Sequence, residues 1–478
     1  MDKKNAKLIS ILGSNDYTTV NYDDFEECEY IQEALVKKYQ DKLSEVIIFA
    51  TEEVIKKNWK SGAKYYITDE KAGINKGDPR KGLKKKLNII KKENNLDLDL
   101  KMFKIPKGFT EKELWKIFNI FINSINEGDE IYFDVTHGFR HLSMLVMNIL
   151  NYAKLSKNIE VKSIEYGLFD ELGRASDVRA MDLENRNASI LDLTSFDYLN
   201  DWVIGIDNFI NTGDAEKINN LPQKTLVNLF IDQNFSNDVE YNFYNKLKKL
   251  KKKISTFNNE VKTTRGIKLN DTIINILNEI KEINLLKDKI EEEKDLNDRI
   301  LPFIKLIDNI EDKFSIFDIN DKTGIKNNFK LLSWCNEHKL ISQGLIIARE
   351  NIISLIAERL NEPYLPKHFK ENNYSYQLKD IREEIGSILD LLSDSSKDEN
   401  EFYSKTSDNK FNEIKESIEN DFIELVEIYS LIRKRRNDVS HFGISEESSK
   451  KYKDIFVSFD EITEKLDQVL EKNDYYLE

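Results

Sequence analysis

IYFDVTHG (131–138) is the stretch whose reading decides the fold. It is an apolar run of strand length that stops at Thr-His-Gly. FRHLSMLVMNILNYAKL follows, with Leu142, Leu145, Val146, Ile149 and Leu150 at helical spacing. A run apolar on both faces needs cover on both, as in parallel sheets flanked by helices. The same pattern recurs outward from it in KLISILG (7–13), SEVIIFAT (44–51) and VKSIEYGLF (161–169). Between them, Thr110 and Glu113 form a capping box. Leu114, Ile117, Phe118, Phe121, Ile122 and Ile125 then share one helix face. Strand, short loop and helix in repetition predict an open, doubly wound α/β domain of Rossmann type with a mostly parallel sheet. Ligands of such domains sit beyond the carboxyl ends of the strands. Here those ends are GSNDY (13–17), Thr51 and THGFR (136–140).

The strand signals fade from about residue 195 onward. The chain of 478 residues is too long for one ordinary domain. It divides into an α/β part (1–190), a helical connecting region (191–324) and a second helical block (325–478). The middle region is rich in Lys, Glu, Asn, Leu and Ile, and its KLKKLKKK run (246–253) reads as a solvated helix face. The later block contains the apolar pair KLLSWCNEHKLISQGLIIARENIISLIAERL, a polar loop (393–410) and the helix DFIELVEIYSLIRKRR.

A formal net charge of -14 argues against a chain coated in nucleic acid, but leaves 72 Lys and Arg free to cluster. No run of about 18 apolar residues is present to span a bilayer. The N-terminus lacks a cleavage site of small residues, so a signal peptide is not expected. Cys28 and Cys335 are the two cysteines; without metal spacing they read as buried thiols in a reducing cytoplasm.

Several motifs fail. The chain contains no G-x-G, which excludes a dinucleotide fingerprint. GDPRKGLK (77–84) approaches a phosphate-binding loop, but Leu83 occupies the lysine position, so it is read as a plain loop. His137 and His141 have the i, i+4 spacing of metal ligands, yet no third ligand is evident and Gly138 disfavours a helix at 137; no metal is assigned.

RKRRNDVSHFG (433–443) contains an R-N-x-x-x-H arrangement in Arg436, Asn437 and His441. Alone it reads first as a basic helix end closed by Gly443, with His441 on the last carbonyls, because R-x4-H is a weak pattern. On a continuous helix, Arg436 and His441 diverge by roughly 140°. To meet at one phosphate, either the helix breaks between them or two copies face each other.

This segment resembles the R-x4-6-H motif of HEPN ribonucleases, including the polar residue after the arginine. KLISILGSNDYTTVNY and YFDVTHGFRHL resemble a CARF domain. The order, CARF then helices then C-terminal HEPN, resembles the accessory ribonucleases of type III CRISPR systems. The resemblance implies a CARF sensor in 1–190, a HEPN domain in 325–478, and a metal-independent cut of single-stranded RNA. In that scheme His441 is the acid/base, Arg436 stabilises charge on the phosphoryl oxygens and Asn437 orients one of them. Arg433, Lys434 and Arg435 read as a phosphate funnel. The activator implied is a cyclic oligoadenylate, first of all the tetramer, with no catalytic cofactor. Its expected contacts are Gly13, Ser14, Asn15, Asp16, Tyr17 (stacking on adenine), Thr51, Thr136, His137, Gly138 and Arg140. A symmetric ring implies a homodimer or higher oligomer in the cytoplasm. Two other functions fit the same residues: a ligand-responsive nucleic-acid-binding regulator that does not cut, and a ring nuclease that degrades the messenger.

Overall fold

The structure is a computed structural model describing residues 5–138, 140–221, 238–292, 294–364, 374–393, 408–441 and 451–473. It contains two compact units, Met1–Asp197 and Tyr198–Glu478.

The first unit is built on a six-stranded sheet. Its strands are β1 (Ala6–Ile11), β4 (Glu45–Ala50), β5 (Asp99–Lys104), β6 (Glu130–Asp134), β7 (Glu160–Gly167) and β9 (Ile190–Asp192), in the spatial order β5-β4-β1-β6-β7-β9. All pairings are parallel except β7 with β9. A small second sheet joins β2 (Val20–Tyr22), β3 (Phe25–Cys28) and β8 (Asn187–Ala188). The strand side chains alternate between two cores. Ala6 and Leu8 of β1 face the cluster formed with α1 (Ile31–Lys38) and α2 (Leu83–Glu93). Ile9 and Ile11 face the opposite cluster, with α3 (Glu111–Ser124) and α4 (Arg140–Lys157). The expected α/β class and the four apolar strands are therefore present, covered on both faces. Half of the expected capping box at α3 forms: the Glu113 amide donates to Thr110 Oγ1 at 3.3 Å, while Glu113 Oε2 accepts at 2.9 Å from the amide of Phe109, one residue before the N-cap.

The second unit is helical. It runs through α5 (Thr194–Thr212), α6 (Asp238–Lys262), α7 (Gly266–Glu292), α8 (Lys294–Phe314), α9 (Ile325–Glu337), α10 (Ile341–Tyr364), α11 (Tyr374–Leu392), α12 (Asp408–Asp421), α13 (Ile423–Ser440) and α14 (Tyr452–Lys472). One apolar cluster extends from Tyr198 to Leu470, so the stretches on either side of residue 324 share a core. Trp334 sits within it, 5.1–5.6 Å from the rings of Phe257, Phe314 and Phe209. The lysine run lies on α6: Lys246 and Lys253 pair with Glu279, and Lys248, Lys249 and Lys252 face solvent. Among the described residues no helix is long and apolar enough to cross a membrane, and no group of three His, Cys, Asp or Glu could hold a metal. Both cysteines are free and buried.

Candidate functional sites

The chain runs from β1 outward to β4 and β5, then returns to β6 on the other side of β1. The loops after β1 and β6 thus face one another at the point where strand order reverses, the position that binds ligands in such sheets. A buried polar knot fixes their spacing. Ser10 and Asp134 are register partners on β1 and β6. Ser10 Oγ donates to Asp134 Oδ2 at 2.6 Å, and Gln32 of α1 donates to the same carboxylate at 3.1 Å and to Ser10 Oγ at 2.7 Å. Asp134 Oδ1 accepts the Thr136 amide at 2.9 Å, and Thr136 Oγ1 accepts the Gly167 amide at 2.7 Å. Asp134 and Thr136 therefore tie the turn after β6 to β1, α1 and β7.

The turn after β1 is held from a third element. Asn58 donates to the carbonyls of Gly13 (2.8 Å) and Asn15 (3.0 Å), and Lys57 donates to that of Ser14 (2.7 Å). Arg80, fully buried, bonds both Asp16 and Asn58 and stacks 4.5 Å over Tyr65. Ser14 and Asn15 are exposed, and Thr51 is half-buried at the head of the turn Glu52–Val54. Gly138 has φ +130, a region that glycine enters at no cost. Gly13 is required for a different reason: a Cβ there would lie 2.7 Å from the Tyr17 hydroxyl and 3.4 Å from His137 Cβ.

Tyr17 is not placed to stack on a ligand. It is 7% exposed and packs between Tyr30 (5.0 Å) and His137 (4.7 Å), because the turn folds the ring under itself into the core. His137 is half-buried, and desolvation holds its pKa below the ordinary histidine value against the pull of Asp134 and Asp170. It therefore offers a neutral imidazole at neutral pH. Arg140 opens α4; its side chain lies outside the described residues. Gln32, Asn58 and Arg80 carried no sequence signal, since their partners lie 22 to 102 residues away.

In the helical unit, α13 runs unbroken through Arg436 and Asn437, and His441 caps it with φ -93 and ψ 17. The helix does not break between the arginine and the histidine, so one copy does not bring them together along its own axis. His441 is exposed and its amide donates to Asn437 O at 2.9 Å. Arg436 is half-buried and donates from Nη2 to Asn437 Oδ1 at 3.3 Å. The expected cationic funnel is corrected here. Arg433 donates to Asp390 O (3.3 Å) and Ser393 Oγ (3.1 Å), and Arg435 donates to Ser458 Oγ (2.9 Å), which fastens α13 to α11 and α14. Of the three, only Lys434 is exposed. Asp438 is buried, and both its oxygens lack a partner among the described residues. Gly443, expected to end the helix, lies outside the described residues. A cavity of about 640 Å³ opens between α7, α8 and α9, lined by Leu277, Ile280, Asn284 and Phe317, with no motif residue in its wall.

Comparison with known proteins bears on the first unit. Residues 7–169 match the family profile described as CRISPR system endoribonuclease Csx1, CARF domain. The N-terminal unit is of the CARF type. That match spans the loops at 13–17 and 136–140 together with β1, β4, β5, β6 and β7. A CRISPR-associated protein of Methanocaldococcus jannaschii, MJ1674, is 25% identical over 430 residues, which cover 80% of this chain. The chain spans 59% of the length of that relative. Csm6 of Enterococcus italicus bound to cyclic hexa-2'-fluoro-hexa-dAMP aligns over 99% of this chain and 97% of its own, with 13% identity and a TM-score of 0.42. The domain match and the relative together support a CRISPR-associated CARF protein.

Proposed function

We propose that the chain is a cyclic oligoadenylate-activated endoribonuclease of the HEPN type, acting as a homodimer on single-stranded RNA in type III CRISPR defence. The observation that carries this reading is the pairing of a CARF-type unit with an R-N-x-x-x-H motif at the solvent end of α13. RNA supplies its own nucleophile. The 2′-hydroxyl attacks the adjacent phosphorus, a P–O bond forms as the P–O5′ bond breaks, and the ends are a 2′,3′-cyclic phosphate and a 5′-hydroxyl. His441 takes the proton from the 2′-hydroxyl or returns one to the leaving oxygen, as an imidazole can do in either direction. Arg436 stabilises the charge of the pentacoordinate phosphate and Asn437 orients it. The continuous helix through these residues favours a cleft shared by two copies.

A second copy also suits the first unit. The outer stripe of α4 exposes Met144 (74%) and Leu155 (90%), and Trp115 (59%), Phe118 and Tyr152 continue it as an edge-to-face aromatic row. Apolar surface of this kind marks an interface. α4 starts at the 136–138 turn, so a two-fold pairing there presents the same loops twice to a symmetric ring. Met144→Glu with Leu155→Glu should shift the chain from dimer toward monomer in sedimentation velocity and raise the activator concentration needed. A variant as dimeric as the parent removes this face from the account.

The function is tested by incubating labelled RNA and EDTA with a series of cyclic oligoadenylates. Ring-dependent cleavage leaving 2′,3′-cyclic phosphate ends is the expected result. Ring-dependent RNA binding without cleavage selects the regulator reading, and loss of the ring itself with intact RNA selects the ring nuclease, for which neutral His137 is the nearest base.

A further inference from the structure

The turn at 13–16 is asymmetric in its hydrogen bonding. The carbonyls of Gly13, Ser14 and Asn15 all accept from side chains, Asn58 Nδ2 and Lys57 Nζ. The amides of Ser14, Asn15 and Asp16 find no acceptor among the described residues. Successive backbone N–H groups of a turn, left without acceptors while its carbonyls are held, can take an anion. Asp16 would oppose this, since a carboxylate beside the nest repels phosphate. Its charge is covered twice, by Arg80 and by Lys57 at 3.4 Å. Arg80 reaches Asp16 from a segment that folds back on itself: Lys64 pairs with Pro79, and the Gly62 and Arg80 backbones bond one another's neighbourhood at 2.7–3.0 Å. A second fully buried arginine, Arg186, clamps Asp69 at the tip of that segment with bonds of 2.7 and 2.8 Å.

We propose that Lys57, Asn58 and Arg80 are positioning residues that hold the 13–16 turn as an anion nest, with a phosphodiester of the ligand on the amides of Ser14, Asn15 and Asp16. The inference rests on reading this turn as the activator site and adds how the turn takes an anion. Arg80 and Lys57 act on the ligand through Asp16: they cancel its charge and aim it away, and Asn58 keeps the carbonyls turned back. The phosphate then meets only donors.

The test is calorimetric titration of the full chain with cyclic tetra- and hexa-adenylate, and with pyrophosphate as a probe without bases. Arg80→Gln and Lys57→Gln should each weaken binding by about tenfold or more, the scale of one charge-assisted contact. Asp16→Asn in the Arg80→Gln background should recover most of that loss, because the uncovered carboxylate is gone; a merely structural role for Arg80 gives no recovery. Lys57, partly exposed, keeps the test available where Arg80→Gln lowers the folded fraction in thermal melts. If the parent binds a ring and both single variants bind it within about twofold of the parent, the nest is wrong. If the parent binds pyrophosphate in a Lys57-dependent way but no ring, the nest stands and the activator reading falls. A parent that binds neither overturns both.

Discussion

His441→Ala should slow RNA cleavage by about 10²–10⁴-fold, the usual contribution of a positioned general acid or base. The same variant should keep its melting temperature and its affinity for the activator. The reason is local: the imidazole is exposed, and the bond His441 makes within α13 comes from its amide, which alanine retains. Arg436→Ala should behave alike in activity. Arg433→Ala should differ from both, because Arg433 holds the loop end of α11 through Asp390 and Ser393 and its loss should show in stability first. Initial rates on a labelled RNA, with melting curves alongside, check all three. A His441→Ala protein that cuts at the parental rate removes the assignment.

Arg186→Ala should be the most damaging single change to the first unit, destabilising it by about 3–5 kcal/mol, as expected when one partner of a buried ion pair is removed. Arg186 is fully buried. It donates to both oxygens of Asp69 and to the carbonyls of Thr19, Arg179 and Met181. Alanine would leave a buried carboxylate and three carbonyls without these donors. Lysine is no remedy, since it carries a point charge where the site uses a planar fork. Denaturant unfolding, followed by a probe in the first unit because two units need not melt together, measures the loss. A change under about 1 kcal/mol would show that the strap around Asp69 is held by something else.

The strands that could be read from sequence were those with apolar side chains on both faces. β1, β4, β6 and β7 all announced themselves this way. β5 did not: DLKMFK lies at the sheet edge with every position exposed or half-buried, so its charges mask its pairing with β4. β9, three residues long and antiparallel, carries too little pattern to find. The turns at 13–17 and 136–140 could be located from where the apolar runs ended. What holds them could not. Arg80 lay inside GDPRKGLK, legible only as a phosphate loop that fails, and its role comes from Asp16, 64 residues earlier in the chain. Tyr17 and the cations before Arg436 show the converse. A tyrosine in a polar turn and an Arg-Lys-Arg run suggest ligand contacts, yet tertiary packing puts the ring in the core and gives Arg433 and Arg435 partners on other helices. Residue type told which groups were able to do chemistry; only the fold told which were free to do it.

In the proposed dimer two copies of α13 complete one cleft, an arginine from one facing a histidine from the other. Mixing separately inactive Arg436→Ala and His441→Ala proteins, under conditions where subunits exchange, measures this directly in the presence of activator and EDTA. Recovery of RNA cleavage in the mixture, absent from either variant alone, is the predicted result. A mixture that forms mixed dimers and stays as inactive as its components would contradict it.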